Sequence, residues 1–170
     1  MFGKKHKSET IIFSKRLNAV LASHDDTTIS DVEESCSRGI NLAEFPTTLE
    51  AAKKCKSSNI KIIMGAPNLV RGGSHSGNVS AQSLIDEDLL DILSSDYVPS
   101  SLLMAAIMWG IKSNNLPKSI ASVTTNPCKA TGLNDRGLIK EGLKADLIRL
   151  SIKNDLPIIR KVWASGREVA

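Results

Sequence analysis

Four short apolar runs, each ending in a polar or glycine position and each followed by the start of a helical pattern, constrain this chain more than any other feature. They end at His24, Glu44, Gly65 and Asp96, which are 20, 21 and 31 residues apart. Strands that alternate with helical patterns at such a pitch indicate parallel βα units, because parallel neighbours need a crossover long enough to hold a helix. The longest interval carries a glycine-rich segment over 65–78. Elaborated βα loops are where such folds keep their functional groups.

The local text fills in the units. A run over 18–23 leads to His24, and the turn Asp25-Asp26-Thr27-Thr28 opens a helix over 29–38 with Ile29, Val32 and Cys36 on one face, stopped by Gly39. A strand over 41–45 is followed by Pro46-Thr47-Thr48, which caps a helix over 49–57. The third strand covers 59–64, a short helix lies near 80–85, and the fourth strand covers 91–94. A long helix over 99–114 comes next, then one begun by Pro117 and one begun at Thr125-Asn126-Pro127 and ended by Gly132. Beyond Gly137 the pattern becomes strand-like at 138–139, 145–150 and 158–163, a small β appendage in which hairpins are expected.

With 170 residues the chain has room for one domain with a real core, whereas an eightfold (β/α) barrel needs about 250. The expected fold is therefore α/β: about four parallel βα units, equivalent to half of a (β/α)8 barrel, with C-terminal helices over 1–132 and a β segment over 133–170. Aromatics make up 4% of the residues, so the core is mainly aliphatic. A net charge of +4 suits a polyanionic ligand but is far from a nucleic-acid footprint, and the Lys4, Lys5 and Lys7 run reads as a solvated terminus. Cys36, Cys55 and Cys128 are odd in number, widely spaced and contain no C-x-x-C, so they suggest neither a disulfide framework nor a cysteine zinc site. No run approaches signal-peptide or membrane-span length, so a cytosolic protein is expected.

Chemistry is expected at the strand ends. His24 in Ser-His-Asp-Asp is either a metal ligand whose second nitrogen is oriented by a neighbouring carboxylate, or a structural turn residue. Asp96 is a metal ligand or general base, or else a partner for the following helix N-terminus. Glu44 stands open between base, ligand and polar strand tip. Arg71, Gly72, Gly73, Ser74, His75 and Asn78 can surround phosphate oxygens, with backbone donors, one guanidinium and one imidazole. The alternative is a flexible solvent loop.

The segments Leu21-Ala22-Ser23-His24-Asp25-Asp26-Thr27, Ala43-Glu44-Phe45-Pro46-Thr47-Thr48, Met64-Gly65-Ala66-Pro67-Asn68 and Ser94-Ser95-Asp96-Tyr97-Val98-Pro99 together closely resemble the PhnM type of the amidohydrolase superfamily. Thr125-Asn126-Pro127, Asp135-Arg136-Gly137 and Lys144-Ala145-Asp146-Leu147 resemble the superfamily's general C-terminal signature. The resemblance implies a zinc-type metallohydrolase of phosphonate catabolism, in the carbon-phosphorus lyase pathway, which releases diphosphate from α-D-ribose 1-methylphosphonate 5-triphosphate. It implies His24 as metal ligand and Asp96 as ligand or base, with catalysis by both.

The family pattern begins with a strand bearing H-x-H and later supplies a bridging lysine or acid. Neither has a counterpart before His24, and Glu44 stands where a second histidine is frequent. The expectation is a C-terminal half, complete and active only with a missing N-terminal half or through self-association, and inactive alone. The competing expectations are a noncatalytic, partner-binding remnant of the fold and a metal-free module for phosphate esters.

Overall fold

A computed structural model describes residues 2–74 and 76–170, with the side chains of residues 2–5 left undescribed. The chain divides into two compact units, Met1–Ile62 and Ile63–Ala170.

The first unit contains α1 (Phe2–Leu17), β1 (Ala22–His24), α2 (Ile29–Ser37), β2 (Leu42–Glu44) and α3 (Leu49–Ser57), and ends in the first residues of β3 (Lys61–Gly65). Strands β1 and β2 pair in parallel, with Ala22 opposite Leu42, Ser23 opposite Ala43 and His24 opposite Glu44. Lys61 N–H donates to the Asn41 carbonyl at 2.8 Å, which seats the start of β3. Each helix starts where the sequence offers an oxygen to its orphan amides. Thr28 and Asp31 form a reciprocal capping box on α2, and the Thr48 hydroxyl accepts from Ala51 N–H on α3. Those capping bonds, from the Thr28 backbone first, hold the Asp31 carboxyl below its ordinary range. The core is aliphatic, as its composition requires: Val32, Leu42, Ala43, Ala51, Ala52, Ile60 and Ile62 are all buried.

The second unit holds the rest of β3, then α4 (Ala66–Arg71), α5 (Ala81–Asp86), β4 (Ile92–Ser94), α6 (Ser101–Lys112), α7 (Leu116–Ala121) and α8 (Thr125–Ala130). Strands β3 and β4 pair in parallel, Gly65 opposite Ser94. Helix α6 packs against α4 and α7 and buries Ala105, Ala106, Ile107 and Trp109. Its contact with α7 is close because position 110 has no side chain. A Cβ on Gly110 would run into the Ser119 hydroxyl and lie 2.6 Å from Leu116 Cδ2 and 3.0 Å from Leu116 Cα.

After α8 come β5 (Leu147–Lys153), β6 (Leu156–Ala164) and β7 (Arg167–Glu168), an antiparallel sheet of order β5-β6-β7. Its two turns, Asn154-Asp155 and Ser165-Gly166, have positive φ at both residues, the geometry that matches the right-handed twist of the flanking strands. Ahead of it Asp135, Arg136, Lys144 and Asp146 form an ion-pair cluster. Bonds from Arg136 and Lys144 hold the Asp135 carboxyl well below the ordinary carboxylate range, and Asp135 in turn raises Arg136.

The parallel strand pairs and the later hairpins agree with the expectation from the sequence; two local readings are corrected, and one element is new. Residues 2–17 form a helix, α1, that the sequence reading did not anticipate; Ile11 and Ser14 turn inward while Lys7 and Lys15 remain exposed. Residues 66–71 are helical rather than loop, begun by Pro67 in the first turn and ended by Gly72 in the left-handed conformation at φ 81°. Residues 138–139 form no strand, and Ile139 is 90% exposed.

Candidate functional site

In the first unit β1 and β2 end side by side, and the chain turns sharply just beyond each. Asp25 and Phe45, the residues that follow His24 and Glu44, both adopt the left-handed region, at φ 59° and 57°. For aspartate that conformation is common, whereas for a bulky phenylalanine it costs roughly 1–2 kcal/mol. The result is a fixed setting for His24. Its Nδ1 lies 3.0 Å from Asp25 Oδ2, and the Phe45 ring meets the imidazole edge-on at 5.3 Å and 84°. With Nδ1 turned to a carboxylate, Nε2 is the nitrogen left to act as a base or ligand.

The two turns are laced together. Asp25 N–H donates to the Glu44 carbonyl at 3.0 Å, Thr47 N–H to the Asp26 carbonyl at 2.9 Å, and the Thr48 hydroxyl to the Thr27 carbonyl at 2.7 Å. Asp26 is buried and accepts a hydrogen bond from the Ser23 hydroxyl. It is thus a lock of the β1 turn, while Asp25 orients the imidazole. Burial first, and the nearby Asp26 charge second, push the Cys55 thiol up to about 12. A cavity of about 620 Å³ borders this site, lined by His6, Lys7, His24, Asp31, Glu34 and Arg38 among others.

In the second unit the ends of β3 and β4 are equally close. Asp96, two residues past β4, is exposed, at φ 50°, and its carboxylate lies over Gly65, so that a Cβ there would come within 2.7 Å of Oδ2. The Ser94 hydroxyl oxygen at the tip of β4 is buried and has no hydrogen-bond partner among the described residues. Arg71, the last residue of α4, donates from Nη1 to the Tyr97 hydroxyl at 3.1 Å. Arg71 also borders a cavity of about 610 Å³ together with Leu69, Gln82, Trp109 and Lys112.

The glycine-rich segment is more committed than its composition indicates. Gly72 N–H donates to Leu69 O at 3.2 Å and Gly73 N–H to Asn68 O at 2.9 Å, so both amides cap α4 rather than face a ligand. Asn68 Oδ1 accepts from Ala81 N–H and seats α5, and the Ser74 hydroxyl accepts from Ser76 N–H. Asn78 is exposed, and His75 lies outside the described residues. The structure thus brings His24 beside Glu44 in one unit, and in the other it joins Arg71 to Tyr97 and Asp96 to Gly65. Phe45 and Tyr97 were not singled out by sequence reasoning; the signal for them was their position next to the polar strand tips.

The donor set does not fit a complete catalytic metal centre. Such a zinc takes three protein ligands, and among the described residues no group of three histidine, cysteine, aspartate or glutamate side chains could hold a metal.

No family model matches the chain. It is 50% identical over 152 residues to the α-D-ribose 1-methylphosphonate 5-triphosphate diphosphatase of Escherichia coli strain K12, an alignment that covers 88% of this chain and 40% of that enzyme. Among solved structures it resembles an amidohydrolase at a TM-score of 0.66 and 14% identity, covering 94% of this chain and 46% of the other. An adenosine deaminase from Xanthomonas campestris with bound zinc matches at 0.60 and 14%, covering 92% and 46%. The chain spans less than half the length of each. These likenesses establish what the motifs indicated: this chain is similar in sequence to a ribose methylphosphonate triphosphate diphosphatase and carries, across nearly its whole length, part of the α/β fold of the amidohydrolases.

Proposed function

We propose that this chain is part of a hydrolase of phosphonate catabolism that releases diphosphate from α-D-ribose 1-methylphosphonate 5-triphosphate, and that the active site is completed only with a further polypeptide segment or partner copy. The observation that carries the reading is the 50% identity over 152 residues to an enzyme of that name. In this reading the partial barrel extends over 1–132 and the β segment over 133–170. The protein works in the cytosol, and no described helix is long and apolar enough to cross a membrane.

The strand ends supply the chemistry. His24, oriented by Asp25, presents Nε2, and Asp96, whose carboxylate stands exposed, accepts a proton or a ligand bond. Glu44 flanks His24 across the β1–β2 pair. Arg71 binds phosphate oxygens, helped by Ser74, His75 and Asn78; Gly72 and Gly73 contribute by capping α4 and so fixing where Arg71 sits. The cofactor of the complete enzyme is a divalent metal, zinc in this reading, with His24 and Asp96 as two of its ligands. Two donors are too few, so a metal held by these residues alone carries no step of the reaction.

That shortfall also supports a second reading, a noncatalytic subunit that keeps the fold. Metal analysis separates them. After dialysis against zinc, the chain mixed with a polypeptide bearing the H-x-H half should retain stoichiometric zinc that His24→Ala and Asp96→Asn each reduce. Zinc retention by the mixture that neither variant changes would remove both residues from the centre.

A further inference from the structure

We infer that Tyr97 is the positioning residue for Arg71, holding its guanidinium in place for a polyphosphate while leaving its charge unspent. The inference rests on the reading of Arg71 as a phosphate-binding residue and extends it to a residue with no assigned role. Arginine ends a long, rotatable side chain, and fixing it before a ligand arrives lowers the entropy cost of binding. The structure fixes it with a neutral group. Arg71 Nη1 donates to the Tyr97 hydroxyl at 3.1 Å across 26 residues of sequence, and no carboxylate pairs with Arg71 among the described residues. A carboxylate in that position would neutralise the guanidinium, whereas a phenol takes one of its five donors and leaves four and the full positive charge for an anion.

Tyr97 is itself held from below. Asp96 turns the chain at φ 50°, Val98 N–H donates to Ser95 O at 3.1 Å, and both the amide and hydroxyl of Ser101 donate to Val98 O, at 3.0 and 2.6 Å. The segment from β4 to α6 is thus a closed series of turns. The Tyr97 side chain, in a residue that is 58% exposed, gains little from burial, which leaves the hydroxyl contact to Arg71 as its principal interaction.

The test is a double-mutant cycle on the 170-residue chain, with inorganic tripolyphosphate as the probe, followed by titration calorimetry at low salt. Arg71→Ala should weaken binding by about tenfold or more, and Tyr97→Phe by about fivefold, the size of one hydrogen bond. In the Arg71→Ala background Tyr97→Phe should change nothing further, because the phenol acts only through the guanidinium. Equal losses from Tyr97→Phe in both backgrounds would overturn the positioning role. Loss with Arg71→Ala and none with Tyr97→Phe would overturn it as well, while leaving Arg71 as a phosphate ligand. Absence of binding by the unaltered chain, or binding indifferent to Arg71→Ala, would overturn the reading of Arg71 and this inference with it.

Discussion

Gly65 and Asp96 are fitted to one another: the carboxylate of Asp96 occupies the space where any other residue at position 65 would place its Cβ, 2.7 Å from Oδ2 and 3.3 Å from the Asp96 Cβ. The φ of Gly65 is an ordinary −69°, so the glycine is required by close approach and not by backbone conformation. Gly65→Ala should push Asp96 off the strand ends while costing only about 1–2 kcal/mol of stability. Urea denaturation together with diphosphate release in the completed enzyme checks this. Activity that falls no more than stability does would show that the placement of Asp96 is unimportant.

Gly110→Ala should be more damaging to folding. The added methyl meets the α7 backbone at Leu116 Cα as well as the fully buried Ser119. Overpacking of this kind costs about 1–3 kcal/mol, seen as a lower urea midpoint with the slope unchanged. A variant as stable as the parent would mean that α6 and α7 are less closely packed than described.

The Ser94 hydroxyl, without a partner among the described residues, gives a prediction of opposite sign. An orphaned buried polar oxygen costs about 1–3 kcal/mol, so Ser94→Ala should hold or raise the melting temperature. A fall of several degrees would show that the hydroxyl has a stabilising partner.

Cys55 makes stability depend on alkaline pH. Its thiol is raised from an ordinary 9.0 to about 12, so the unfolded chain releases that proton first. The stabilisation is complete below pH 9 and is lost between about 9 and 12. Cys55→Ala removes this dependence, and the stability difference between parent and variant should shrink over that window. A difference constant up to pH 11 would contradict the assignment.

Much of this was legible in the sequence. The four strand ends and the capped helices α2 and α3 follow from short apolar runs and from Thr28 and Thr48, which act locally. Helix α1 was not legible, because among its described side chains only Ile11 and Ser14 turn inward amid a lysine-rich text. Helix α4 was hidden by Gly65, Gly72 and Gly73: glycines read as loop when they are spent on a close approach and a helix end. At the site, His24 with its orienting Asp25 could be anticipated from adjacency, whereas the Arg71–Tyr97 contact joins residues 26 apart and is a product of the fold.

The central claim is that these residues form part of an active site whose completion lies outside them. The direct measurement is diphosphate release from α-D-ribose 1-methylphosphonate 5-triphosphate, with zinc present, by the chain alone and after mixing with a polypeptide that supplies the H-x-H half. The account predicts background turnover for the chain alone and restored turnover for the mixture, abolished by His24→Ala or Asp96→Asn. Robust hydrolysis by the monomeric 170-residue chain, or a mixture that stays inactive while binding zinc in full, would contradict it.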